Sequence, residues 1–333
     1  MSRHDEARRP VKLDRRAWME AGMATINYTF AMDNNLRCAG VAFFGFLSVF
    51  PALSAAISLF GLIADPTQIA VADPPFAAAL PDDVTIVIKE QIAEFAARDA
   101  TAGWGLAISL LVALWTGSRG MNALVFAITR AHRETEERSF IASIVMSLAA
   151  TVGAFVTLGI IIASLTVVPA LAVMWPYVDS RETALLWLRW PLVVLVLTVA
   201  VFFLYRHAPN RRSPRRDWVV PGAILATLLW LLGSVALSFF IENFGRYNAT
   251  FGSIAAAAIF MLWLYFSALV LIAGAALNAE LEWRTTKDTT VGPDRPMGER
   301  QAHVADTLAP QARERNRDDD VHPVQDAERR MTT

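Results

Sequence analysis

FGSIAAAAIFMLWLYFSALVLIAGAALNAEL, residues Phe251 to Leu281, decides the class of this chain. No charge interrupts it before Glu280. At about 1.5 Å per helical residue it outruns the roughly 30 Å of a bilayer's hydrocarbon. Five more apolar stretches precede it: Gly40 to Ala64, Gly103 to Ile128, Ile141 to Val168, Ala184 to Tyr205 and Trp218 to Ile241. The expectation is an all-α integral membrane protein with six transmembrane helices.

The composition agrees, with 55% hydrophobic residues, 18% charged and a mean hydropathy of +0.39 over 333 residues. So little charge excludes an ordinary soluble domain of this length. The single cysteine, Cys38, excludes an internal disulfide. The start MSRHDEARRPVKLDRR lacks the apolar core and cleavage site of a signal peptide, so the first span is expected to serve as an uncleaved anchor.

Charge sorting sets the expected sidedness. Arginines and lysines gather before the first span (Arg3, Arg8, Arg9, Lys12, Arg15, Arg16, Arg37), after the second (Arg130, Arg133, Arg138), after the fourth (Arg206, Arg211, Arg212, Arg215, Arg216) and after Trp283. The long loop after the first span carries Asp65, Asp73, Asp82, Asp83, Glu90, Glu94 and Asp99 instead. Cationic loops mark the cytoplasmic face, which puts both termini inside and makes the number of spans even. The second span is the weakest, being interrupted by Thr116, Ser118, Arg119 and Asn122, and alone it also fits a re-entrant or interfacial helix. Removing it would carry the Arg206 to Arg216 cluster outside, so six spans are kept.

The expected organisation is therefore a cytoplasmic segment 1–39, a membrane domain 40–283 with an outer loop 65–102, and a disordered tail 284–333 rich in Pro, Asp, Arg and Gln. Trp18, Met19, Gly22, Met23, Ile26 and Phe30 form an apolar stripe beside basic residues before the first span. That pattern fits either an interfacial helix or one packed under the bundle. Val84, Val87, Ile88, Ile92 and Phe95 make a second amphipathic helix in the outer loop, able to lie on the membrane, cover the bundle by packing or as a gating lid, or contact a partner. Pro169 is expected to end the third membrane helix.

Few residues could carry chemistry. Arg119 is the charge deepest in a span, with Asn122 on its helical face and Ser118 beside it. A buried guanidinium is costly unless it faces protein or water, so this is either a polar site for phosphate or carboxylate groups or an arginine reaching the surface. Asn278 and Glu280 close the last span, and Glu280 could pair with an arginine at the same level. Arg206, Arg211, Arg212, Arg215 and Arg216 form a cationic hinge whose default role is topology and whose second is contact with anionic lipid. Gly222 with Ala226, and Gly274 with Ala276, suit close helix contacts. The scattered histidines offer no metal-ligand spacing, and no phosphate-binding loop or hydrolase elbow occurs. No catalytic residue, metal, cofactor or nucleic-acid groove is expected.

AFFGFLSVFPAL (Ala42 to Leu53), LWTGSRGMNAL (Leu114 to Leu124), HAPNRR with DWVVPGAILATLLW (His207 to Trp230) and Tyr247 to Glu282 jointly resemble the YihY/BrkB family of bacterial inner-membrane proteins. The resemblance covers the membrane part, about residues 20 to 284, and implies six spans with both ends cytoplasmic. Family members carry labels as a ribonuclease or a serum-resistance factor, and relatives have links to envelope lipid handling. Two departures stand out: Phe251-Gly252 where the family usually has Tyr-Gly, and Ala276 where its G-A-E-x-N signature has Glu. Any role of that carboxylate is lost here or moved, with Glu280 the nearest candidate. The functional expectation is transport or accommodation of amphipathic molecules such as lipids. The alternative is a non-transporting envelope scaffold acting through the outer loop and the tails. A ribonuclease lacks both a metal constellation and a basic groove with stacking aromatics in this sequence.

Overall fold

The computed structural model describes residues 7–63, 102–173, 179–244, 248–310 and 312, with side chains for 7–55, 107–165, 190–241, 256–310 and 312. A short 3-10 turn, Pro10–Lys12, leads into α1 (Arg15–Thr29) and α2 (Met32–Ile63). Then follow α3 (Ala102–Ala131), α4 (Phe140–Val173), α5 (Asp179–His207), α6 (Arg216–Phe244), α7 (Asn248–Glu282) and the single turn α8 (His303–Asp306). Six of these carry stretches long and apolar enough to cross a membrane: Met32–Ala55, Ala107–Ala131, Phe140–Leu165, Trp190–His207, Arg216–Ile241 and Ala256–Glu282. The expected all-α membrane architecture is what the chain forms. The amphipathic helix read in the outer loop, with Val84 to Phe95, lies outside the described residues.

Three expectations need correction. The first membrane helix starts at Met32, not near Gly40, so Arg37 sits inside it. Asp33 in its first turn favours that start, since an acid there complements the helix dipole. Pro169 does not end α4, which continues to Val173. A proline removes one ladder hydrogen bond, a loss that membrane helices accommodate by local adjustment. The largest correction is the tail: residues 284–310 are folded, whereas 313–333 lie outside the described residues.

The chain divides into two compact units. One holds residues 1–39, 123–142 and 201–333; the other holds 40–122 and 143–200. In the first, α1 is capped by Asp14, whose carboxylate accepts from Ala17 N at 2.8 Å, and Trp18 Nε1 donates to Pro10 O at 3.1 Å. The helix does pack, but by a different face from the apolar stripe read in the sequence. Ala17, Ala21, Thr25 and Thr29, four residues apart, are buried, with α1 packed along α7. Met19, Met23, Ile26 and Phe30 stay exposed on the other side. The Thr25 and Thr29 hydroxyls return to the carbonyls of Ala21 and Thr25, both at 2.7 Å, so polar atoms in the packed face are satisfied.

Helices α6 and α7 approach at Gly222 and Gly274. A Cβ at Gly222 would stand 2.0 Å from Gly274 O, and one at Gly274 would stand 2.5 Å from Gly222 O and 3.0 Å from the Ala226 methyl. Only hydrogen fits there, the reason small residues recur in membrane helix pairs. Further along the pair, Trp230 Nε1 donates to Ser267 Oγ at 3.0 Å and its ring meets Trp263 edge-on.

The folded tail is stitched by polar groups rather than by apolar periodicity. Arg300, almost fully buried, donates to the carbonyls of Thr286 (2.9 Å), Lys287 (3.3 Å), Arg295 (3.0 Å) and Ala305 (2.6 Å). Asp306 accepts from Gly298 N and Arg300 N, both at 2.8 Å. Asp288 accepts from Thr290 N, Thr290 Oγ1 and Arg295 N. Burial alone would raise its pKa, but these donors and the Arg300 charge outweigh that and hold it below the usual carboxylate range. The tail also reaches other segments: Arg215 N donates to Thr289 O, Val291 N to Ser213 O, and Thr285 Oγ1 to Ala7 O.

Candidate functional site

The last turn of α7 holds a concentrated polar arrangement in the first unit. Asn278 and Glu282, four residues apart, share one face. The Asn278 carboxamide accepts from Gly222 N at 2.7 Å and donates to Val219 O at 3.0 Å. It engages the α6 backbone next to Pro221, which has no N–H to contribute to the ladder. Glu282 accepts two bonds from Arg211, at 2.7 and 2.9 Å, and a third from Thr289 Oγ1 at 3.0 Å. The Arg211 and Glu282 side chains are 1% and 0% exposed, making this a fully desolvated bidentate pair.

Glu280 points the other way. It accepts from Arg133 Nη2 at 2.9 Å and from Arg284 Nη1 at 2.7 Å. Arg284, 2% exposed, also faces Glu20 of α1 at 3.9 Å. Arg133 follows the end of α3 in the left-handed region, φ 60°, and its guanidinium lies 3.7 Å from the centre of the Trp283 ring. The strain of that conformation is tolerated because ion pair and ring both hold the side chain. Sequence reasoning anticipated a partner for Glu280 but missed Arg133, Arg211, Arg284 and Glu282 as a set. Their separations along the chain leave no local signal; only two acids ending an apolar span between basic turns hinted at it.

Two of the five arginines expected to meet anionic lipid, Arg211 and Arg215, have carboxylate partners instead. Arg211 is buried against Glu282. Arg215 donates to Thr290 O at 2.9 Å and pairs with Asp294. Arg212 gives its backbone N–H to Gln301 O at 3.1 Å, and its Nη1 is buried. Glu282 at the end of α7 holds Arg211, and the folded tail holds Arg215 through Asp294 and the Thr290 carbonyl. Arg206 is half-buried, and Arg216 remains exposed.

His132, next to Arg133, is buried with Nδ1 3.0 Å from Ile128 O. Burial first, and then the Arg211 charge, lower its pKa from 6.5 to about 3. The unfolded chain then binds a proton between those values that the folded chain does not, so stability falls as pH drops from 6.5 towards 3. That single group contributes a slope of about 1.4 kcal/mol per pH unit. Melting temperatures of the solubilised protein should fall between pH 7 and 5, and His132→Gln should flatten the decline. An unchanged slope in the variant would remove His132 as its source.

Ser118, Arg119 and Asn122 belong to the second unit, Asn278 and Glu280 to the first. Asn122 Nδ2 donates to Ser147 Oγ at 2.9 Å and to Ser143 Oγ at 3.2 Å, joining α3 to α4. Gly117 and Gly120 continue this close-packed surface: a Cβ would meet Thr151 at 3.0 Å from the first and Val41 O at 3.3 Å from the second. The Ser118 hydroxyl returns to Trp115 O at 2.8 Å. Arg119 lies at the midpoint of the span Ala107–Ala131, exposed, its guanidinium 5.5 Å from the centre of the Trp115 ring. It meets no carboxylate among the described residues. The three thus do not form one polar cluster: Asn122 serves an interhelical tie, Ser118 its own helix, and Arg119 stands apart.

Six helices long and apolar enough to cross a membrane, in an all-helical fold, define a polytopic α-helical membrane protein. The carboxylates at the end of α7 are neutralised by arginine, an arrangement that holds segments together. The chain belongs to the virulence factor BrkB family, which matches residues 29–298. It is 35% identical over 185 residues to the ribonuclease-like protein YfkH of Bacillus subtilis (strain 168), a match covering 54% of this chain and 66% of that one. A UPF0761 membrane protein of Rhodospirillum centenum (strain ATCC 51521 / SW) is 26% identical over 260 residues, covering 78% of this chain and 55% of the relative. Another, of Vibrio vulnificus (strain YJ016), is 25% identical over 292 residues, covering 84% and 89%. The chain spans less than two thirds of the first two of these relatives. No solved structure matches the chain.

Proposed function

We propose that this protein moves or accommodates amphipathic molecules, lipids foremost, in a bacterial inner membrane, with both termini cytoplasmic. The observation that carries the reading is Arg119, an exposed guanidinium at the midpoint of a span with no carboxylate partner among the described residues. A charge at that depth is expensive in hydrocarbon, so its natural complement is an anionic group or water brought to it. The seam beside it adds support: Ser143 and Ser147, four residues apart on α4, offer hydroxyl oxygens to Asn122 of α3, polar contacts between membrane helices.

The test is reconstitution of the full chain into vesicles carrying a fluorescent phospholipid, with the accessible fraction read by chemical quenching over time. Translocation should exceed that of empty vesicles, and Arg119→Ala should reduce it at least tenfold while the melting temperature is kept. Equal rates for the variant and the unsubstituted protein would count against this role. The alternative is an envelope scaffold, which deletion of residues 73–100 should disable and Arg119→Ala should spare. Ribonuclease activity, suggested by one relative's name, is not proposed: Glu280, Glu282 and Asp288 are committed to arginines and backbone donors.

A further inference from the structure

Arg211 and Arg215 of the hinge have carboxylate partners; another group of arginines in the first unit has none among the described residues. Arg37, near the start of α2, lies 5.2 Å from the centre of the Phe126 ring, and Arg130, near the end of α3, lies 5.6 Å from the same centre. Neither meets a carboxylate among the described residues. Asn34 ties Arg37 to the end of α1: its Oδ1 accepts from Arg37 Nη1 at 3.0 Å, and its Nδ2 donates to Tyr28 O at 2.6 Å. The Tyr28 hydroxyl is buried and meets no acceptor with hydrogen-bond geometry among the described residues, although the Asn34 side chain lies close enough to influence it. Its pKa is raised by burial, against the opposing influence of Asn34, Arg37, Arg133 and Arg130, so it stays a protonated donor at neutral pH.

A buried hydroxyl without an acceptor is costly, and two arginines without a counter-ion beside it supply what an oxyanion needs. The flanking chain is apolar and exposed: Ile26 and Phe30 on α1, Met32 and Leu36 on α2. We infer that Tyr28, Arg37 and Arg130 form a binding site for the phosphate of an anionic lipid headgroup, with the acyl chains along the exposed face of α1 and the start of α2. Arginine suits this group because its planar donors match phosphate oxygens. The ends of the two spans concerned, the start of the first and the finish of the second, are those assigned to the cytoplasmic leaflet, where anionic lipid attracts basic segments. The inference rests on the lipid reading above only in taking its phosphate from a lipid, and it requires no translocation.

The test measures binding to the full-length protein in detergent by native mass spectrometry. The probes are phosphatidylglycerol, diacylglycerol with the same acyl chains, and inorganic phosphate. Phosphatidylglycerol should bind at least tenfold more tightly than diacylglycerol. Tyr28→Phe should weaken it about tenfold, the worth of a hydrogen bond to a charged group, without lowering the melting temperature, because the fold makes no use of that hydroxyl. Arg37→Gln with Arg130→Gln should abolish the preference, and the paired lysine variants should recover part of it. Unchanged phosphatidylglycerol affinity in both Tyr28→Phe and the double glutamine variant would overturn the site. Inorganic phosphate that binds as tightly as the lipid would make it a free-phosphate site and overturn the lipid assignment. Headgroup binding that depends on Tyr28, in a protein that translocates no lipid, would leave this site standing and remove the transport role.

Discussion

Arg211→Met should destabilise the protein by about 3–5 kcal/mol, the usual cost of stranding one member of a buried ion pair. Glu282 would keep Thr289 as a donor but lose both guanidinium bonds, in a place where its side chain is 0% exposed. Glu282→Leu should cost as much, by leaving the Arg211 charge without its carboxylate. The two changes together should recover most of the loss, since replacing a buried pair with apolar groups is often neutral. A melting series of the four proteins in one detergent decides it, read as a double-mutant cycle. Strictly additive losses would mean that the pair does not act as a unit, and single losses under about 1 kcal/mol would mean that water reaches it.

Gly222→Ala should be nearly as damaging for a different reason. The new methyl would fall 2.0 Å from Gly274 O and 2.6 Å from the Asn278 carboxamide, and backbone cannot rotate away. Helices α6 and α7 must separate, and Asn278 then loses its bonds to Gly222 N and Val219 O. Overpacking plus two lost buried hydrogen bonds sums to about 3 kcal/mol or more. Gly153→Ala, in α4 with nothing within 4 Å of the added carbon, is the internal control. It should be neutral or stabilise by about 0.5–1 kcal/mol, as alanine does in an open helix interior. If the two alanine variants melt alike, the close crossing of α6 and α7 is wrong.

The contrast explains which parts of the molecule could be read from sequence. The spans were legible because length and apolar continuity are local properties of the chain, and Phe251 to Leu281 needs no partner to be recognised. Gly222 and Gly274 were legible as a pair of small-residue faces, though not as faces that meet each other. The tail was misread because its order comes from acceptors and donors matched across distance. Asp288, Asp306 and Arg300 look like solvated charges until the carbonyls and amides they serve are in place. The partner of Arg211 in the cationic hinge was hidden for the same reason, since Glu282 lies 71 residues further along the chain. Arg119 was legible as an outlier by its depth, but no sequence pattern could tell that Asn122, one turn away, is directed to α4.

The folded tail also separates two events in the life of the chain. A ribosome delivers residues in order, so all six apolar helices have been made before Thr285, Thr289 and Arg300 are available. Until then Glu282 lacks its threonine donor and the Ala7 carbonyl lacks the Thr285 hydroxyl. Insertion into the bilayer can thus be complete while the polar end of the molecule is still open, and a segment made after the membrane helices closes against one made before them. A message cut short after Trp283 would yield a product with every membrane helix and no finished surface, the kind of half-assembled species that cellular proteolysis removes.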